Sequence, residues 1–546
     1  MRMIPLCLLA IMMCAGSVSA QEKKPAERPP DLSLTAVGRQ HHAIKTQSAE
    51  AQAYFDQGIT LLYGFNHEEA ARAFRRAGEL DPASPMPLWG IALAAGPNYN
   101  MDVDAEREKM AFETVQKAQK LAENAPQVEK DYVAALAVRY SGDANPDYKK
   151  LSRDFAAAMK ELSEKYPDDL DAATMYAESL MDLTPWKLWS HDGQPGENTP
   201  EIVRVLESVL ERDPNHVGAN HYYIHAVEAS PHPERALPCA HRLDTMVPQA
   251  GHLVHMPAHT YIRTGDYLAA AKNNALAAQV DRTYAQKAEK EGSIYDLMYH
   301  SHNEHFLAMA ASMAGNYAQA KAAADGLAKR LAPHAKTMLM LDGFMSAPLW
   351  VDARFGKWDA ILARPEPAKE LLATHVMWRY TRALAYAAKG NVDKASAERG
   401  EFAAEAARVP TDVNFGEQNS AKDIMEVAGH ILDARMAMAQ GKKDDAIEHL
   451  KQAVTAQDAL NYDEPADWYY PVRESLGAVY LAAGQTTEAE NVFREDLRHN
   501  PRNPRSLFGL MQCLRAQQKE ADAAWVERQF KTAWRGADTK LQISEL

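Results

Sequence analysis

The chain is poor in cysteine: of four in 546 residues, Cys7 and Cys14 lie in the first twenty, leaving Cys239 and Cys513 far apart in sequence. On an extended fold two such residues do not meet the few-ångström geometry of a bridge, so no disulfide framework is expected. Long apolar runs are missing too. After the first twenty residues nothing approaches the eighteen or so uninterrupted apolar residues that span a bilayer, so no membrane span is expected. Basic tracts are also lacking, and the formal charge is −14, which disfavours nucleic acid and anionic membrane as partners. There is no Gly-rich phosphate loop, no Gly-x-Ser-x-Gly elbow and no paired-cysteine motif.

What is present is export chemistry followed by helix. Arg2, the apolar run Met3 to Ala15, and the small residues Val18 and Ala20 predict a signal peptide over 1–20, cleaved after Ala20, and a periplasmic or secreted protein. Met12 and Met13 before Cys14 argue against a lipoprotein anchor. Residues 21–50, with Pro25, Pro29 and Pro30 among charges, read as a flexible tether.

Beyond it, a 34-residue period appears. Tyr54, Gly58, Ala70, Phe74, Ala77 and Pro82 mark one copy from Ala51, and Leu476, Gly477, Tyr480, Ala489, Phe493 and Pro501 another from Tyr470. Between them the helix-stop turns Gly265-Asp266, Gly315-Asn316, Gly356-Lys357, Gly390-Asn391 and Gly441-Lys442 recur. Counting back fourteen places puts repeat starts at Gly251, Ser301, Asp342, Val376 and Val427, and Ala236, Leu243 and Pro248 place one more at Val217. The expected fold is all-α: a right-handed superhelical solenoid of about ten helix-turn-helix pairs, whose first helices line a concave groove. It divides into an N-terminal array, 51–334, and a C-terminal array, 335–546. Two stretches break the period, 183–200 with Trp186 and Trp189, and 285–300 ending in Tyr299 and His300. Long insertions usually map to one face, often the binding face.

Ten of the 20 histidines fall between His221 and His305, where an even spread would put about three. Registered on the repeats, His221, His255 and His305 are each the fifth residue, His225 and His259 the ninth, His252 and His302 the second, and Glu228 the twelfth. Those places form one stripe on a helix. His221 with His225 and His255 with His259 are the i, i+4 pairs of helical zinc sites, and His252 with His255 and His302 with His305 add i, i+3 pairs. A single groove histidine is usually a surface hydrogen-bonding residue. Seven converging without a metal would repel one another once protonated, so the set reads as a transition-metal site. Glu228 is the candidate catalytic group, as a carboxylate ligand or as acid/base beside a metal-bound water. Asn220 and Asn303 are candidates for orienting imidazoles, while His232, His241 and His300 fall off the stripe. An imidazole-rich, thiolate-free donor set suits Zn, Cu, Ni or Fe, zinc or copper first, and not a Ca or Mg cage. The run Trp468 to Ser475 reads as helix packing.

The segments GANHYYIHAVEAS (218–230), AGHLVHMPAHTYIRTGDY (250–267), HNEHFL (302–307) and YYPVRESLGAVYLAAG (469–484) resemble those of exported bacterial tetratricopeptide repeat proteins of undefined function. The resemblance implies the repeat fold and points places 2, 5, 9 and 12 into the groove, with no assured activity. Two function classes follow. One is an exported metalloprotein, a metal-dependent hydrolase or oxidoreductase, with a metal store or carrier as a variant. The other is a metal-free scaffold that binds a peptide, partner protein or small molecule in the concave groove.

Overall fold

The computed structural model describes residues 40–546 except 144, 412 and 417. The predicted signal peptide lies outside them. Among the described residues there are 26 α-helices, short 3-10 and π segments, and no β-strand beyond isolated bridges. Each helix packs chiefly on its neighbours in sequence, as a solenoid requires. None is long and apolar enough to cross a membrane. Cys239 and Cys513 are free and buried.

The repeat signature has a packing cause. Phe74 of helix His67–Leu80 lays its ring against Gly58 of helix Ala49–Tyr63 and Gly90 of helix Met86–Ala95, where a Cβ would collide with it. Phe493 sits in the same way against Gly477 and Gly509. The inter-helix turns are as expected: Gly265, Gly315, Gly356, Gly390 and Gly441 all have positive φ. In three of them the next residue, Asp266, Asn316 or Asn391, caps the following helix through its side chain.

The helices Val217–Glu228, Gly251–His255 and Ser301–Met313 start where the register puts them. Two others start earlier. Leu372–Ala388 and Ala421–Ala439 run 17 and 19 residues, so a count of fourteen from the turn falls inside them. The second begins where Ser420 caps it.

Two expectations change. The tether over 21–50 does not extend to its end: His42 and Ile44 are buried, and Gln40 and His42 both hydrogen-bond Asp171. A charged, proline-bearing stretch reads as loose, but its last residues carry the donors that the buried Asp171 needs. The division at 334/335 is not a break in the core either. Leu341, Ala347 and Val351 belong to the N-terminal cluster, while Tyr267, Met309 and Met313 join the C-terminal one.

The C-terminal array also folds back on the first. Tyr267 donates to the Pro501 carbonyl (3.3 Å), and Asp538 accepts from the backbone N–H of Tyr317 and Ala318. Glu464 of the C-terminal array lies against His259, so the histidines expected to line the concave groove are buried.

Candidate metal centre

Three successive first helices supply the site, the middle one in two pieces. Val217–Glu228 carries His221, His225 and Glu228; Gly251–His255 and Pro257–Thr264 carry His252, His255 and His259; Ser301–Met313 carries His302 and His305. His221, His225, His252, His255 and His259 are at most 2% exposed, and His302 is half-buried. These are not groove-lining surface residues: imidazoles at this burial need partners.

The partners fix most of the protons. His221 Nδ1 donates to the Tyr63 carbonyl at 2.5 Å, and His225 Nδ1 to Glu228 Oε1 at 2.8 Å. Asn274 donates its Nδ2 to the Ala270 carbonyl (2.9 Å), which turns its Oδ1 to accept from His255 Nδ1 at 2.6 Å. His259 Nδ1 lies 2.7 Å from Glu228 Oε2 and against Glu464 Oε2. The Nδ1 protons of His221, His225 and His255 are thus committed, and their Nε2 atoms present lone pairs. Those lone pairs point inward. His255 Nε2 is 2.6 Å from His259 Nε2 and 3.1 Å from His302 Nε2, and His221 Nε2 is 3.2 Å from His252 Nε2. His225 Nε2, His252 Nδ1 and His259 Nδ1 have no hydrogen-bond partner among the described residues.

Donor atoms of His221, His225 and His252 lie within 4.8 Å of one another, as do those of His255, His259 and His302, and those of His225, Glu228 and His259. His305 is not brought in: its ring packs edge-on against Phe344 and Tyr469, and burial pushes it down to about 4. Among the described residues, Asn220 and Asn303 hydrogen-bond no imidazole. Asn220 caps local carbonyls and Asn303 donates to Asp281. His300, off the stripe, pairs with Asp296 and Glu304.

Burial and then the neighbouring imidazoles hold His221, His252, His255 and His302 well below the ordinary histidine value, so they stay neutral. Burial opposes ionisation of Glu228, but His259 and His225 outweigh it and hold its carboxyl well below the usual range. Glu464 goes the other way: burial, then the charge of Glu228, raises it far above that range. The pair thus carries one proton and one charge.

Glu464 is the residue that sequence reasoning missed. It reaches the site from the C-terminal array, beside the Trp468 to Ser475 run. Trp468, Tyr469, Glu474 and the aliphatic residues of that run are buried, as packing requires. Both insertions meet the cluster. Trp186 stacks on Tyr99, which faces His225 at 5.2 Å, and Tyr299 faces His252 at 5.2 Å. Phe65 and Phe306 complete an aromatic wall around the imidazoles.

A further group, His42, Asp169 and Asp171, is also close enough to hold an ion. There the donors are already matched, since Asp171 accepts from Gln40, His42, Tyr63 and His216.

No family model and no curated protein matches the chain. Solved structures to which it is similar include a human IFIT1 dimer with m7Gppp-AAAA, at 14% identity and TM-score 0.32, covering 90% of this chain and 91% of that one. Yeast Tom70 matches at 13% identity and TM-score 0.31, covering 88% and 99%. The Cut9–Hcn1 hetero-tetramer of the APC/C matches at 12% identity and TM-score 0.30, covering 91% and 95%. Likeness at these scores says nothing of ligand or activity.

Proposed function

We propose that this chain is an exported helical-repeat metalloprotein whose buried imidazole chamber binds zinc or copper. One observation carries the reading: the inward-facing Nε2 lone pairs of His221, His225 and His255, whose Nδ1 protons are already held by the Tyr63 carbonyl, Glu228 and Asn274. Without a cation, ring nitrogens such as His225 Nε2 and His252 Nδ1 stay unmatched, and a buried polar atom left unmatched costs about 1–3 kcal/mol. A borderline transition ion is the electrophile that neutral imidazoles suit. Glu228 then orients two ligands through their Nδ1 atoms, the outer-sphere carboxylate–histidine arrangement. The scaffold reading has less support here, because the places that would touch a groove ligand are closed off by Glu464 and the aromatic wall.

The test is elemental analysis of the mature protein purified without a histidine tag. Zinc or copper at one ion per chain or more is expected, and the His255→Ala/His259→Ala variant should bind less metal than the parent while keeping its helical circular dichroism. Every transition metal well below one ion per chain in the parent protein overturns the reading. Loss of helicity in the variant would show that the pair is core.

A further inference from the structure

We propose that the chamber holds two metal ions side by side, one bound by His221, His225 and His252 and the other by His255, His259 and His302. The inference rests on the metal reading above and adds the number of ions and their ligand sets.

The two triads are one pattern used twice. Each takes places 5 and 9 of one repeat and place 2 of the next. His221 and His225 come from the repeat starting at Val217 and His252 from that starting at Gly251. His255 and His259 come from the Gly251 repeat and His302 from that starting at Ser301. The 34-residue period that moves His221 onto His255 also moves His225 onto His259. His252 and His302 are further apart only because 285–300 is inserted between their repeats.

The polar contacts repeat as well. In each triad the place-5 imidazole is fixed by a neutral acceptor, the Tyr63 carbonyl or the Asn274 amide, and the place-9 imidazole meets Glu228. Glu228 gives one oxygen to each triad, Oε1 to His225 and Oε2 to His259, and so joins two sets that share no imidazole. The place-2 residues, His252 and His302, approach the place-5 Nε2 of their own triad at 3.2 and 3.1 Å.

The pattern also explains where the sites stop. In the Ser301 repeat place 5 is His305, but place 9 is Met309 and place 2 of the next repeat is Gly343. His305 accordingly stands alone against Phe344 and Tyr469.

Three neutral imidazoles leave a tetrahedral ion one open position. The rings of His225 and His259, one from each triad, are 5.3 Å apart between centroids, so the two ions are neighbours and one small ligand could bridge their open positions. The rings of Phe65, Tyr99 and Phe306 pack against these imidazoles.

The test uses the full-length, tag-free protein, stripped with chelator and titrated with cobalt(II), with the bound metal counted after desalting. Two ions per chain are expected for the parent. His221→Ala/His252→Ala and His255→Ala/His302→Ala should each keep one, and the fourfold variant none. Should an alanine pair lose its helicity, the matching Gln pair takes its place. One ion in the parent, lost in either pair variant, overturns the two-ion proposal and leaves the metal reading standing. Two ions in the parent but none in either variant overturns the assignment of ligand sets. No ion in the parent defeats both.

Discussion

Asn274 touches no ion and carries no charge, yet its amide decides which nitrogen of His255 is free. Asn274→Leu removes the acceptor at 2.6 Å, so the His255 proton can settle on Nε2 and block it. The expected result is metal affinity lower by 10–100-fold, measured by competition with a chromophoric chelator, with unchanged helicity. Undiminished affinity would show that the tautomer is held elsewhere. This residue was not legible, whereas the imidazoles were. The stripe follows from spacing on one helix, but Asn274 lies on a second helix, Tyr267–Lys287, and Asn220 and Asn303, which share the histidines' helices, face other partners. His67 offers a separate test at the same scale. Burial, then Arg107 and Arg139, lowers it to about 3, and Asn98 donates to its Nδ1. A lowered histidine binds fewer protons folded than unfolded, so its contribution is intact above about pH 6.5. It is lost as the pH falls toward 3, at no more than about 1.4 kcal/mol per pH unit. His67→Gln should flatten the loss of stability between pH 6 and 4, read as the difference between two denaturant titration series in chelator. Parallel curves would sink this assignment.

The helix pairs were legible because their signals are local. A glycine stop, an Asx cap and an aromatic sixteen places after a glycine are all short-range, and the turns fall where they predicted. The early starts of Leu372–Ala388 and Ala421–Ala439 were not, since a period fixes the turn and not how far a helix extends away from it. Two turn glycines separate backbone strain from tertiary contact. Gly390 has φ 73° and nothing within 4 Å of a Cβ placed there, so Gly390→Ala should cost only the left-handed penalty, about 1–2 kcal/mol. Gly265 has φ 79°, and an added Cβ would run into the Pro501 carbonyl of the C-terminal array. Gly265→Ala should therefore lower the unfolding temperature distinctly more than Gly390→Ala, and weaken the Tyr267 to Pro501 contact as well. Equal shifts in a thermal melt would mean that the two arrays are not held together through this turn.

How the arrays fold onto each other was not legible at all, because a repeat register says which face a residue occupies and not which distant repeat covers it. Glu464 and His259 are two hundred residues apart in sequence and meet only through that closure. A buried knot inside the C-terminal array supports the face that makes it. Arg354, on the helix Ala347–Arg354, forks onto both oxygens of Glu474 and lies over the Tyr470 ring at 4.5 Å. Arg505 adds its guanidinium to Glu474 at 3.0 Å, and Asn503 donates to the same carboxylate. Arg354 and Glu474 are almost fully excluded from water, at 5% and 2% side-chain exposure. Removing one partner of such a pair typically costs about 3–5 kcal/mol, and the remaining Arg505 places this case near the lower end. In a solenoid that loss acts on the local interface and not on the whole chain. Arg354→Leu should therefore loosen the C-terminal array from within: its repeats from Val472 on should melt first, Glu464 should leave His259, and protease should cut ahead of Val472 while the N-terminal array stays intact. Arg354→Lys should restore little, because a single ammonium cannot reproduce the two-pronged contact. Differential scanning calorimetry with timed proteolysis reads both effects. A single transition at the parent temperature, with no new fragment, would show that the closure over the metal chamber does not depend on this ion pair.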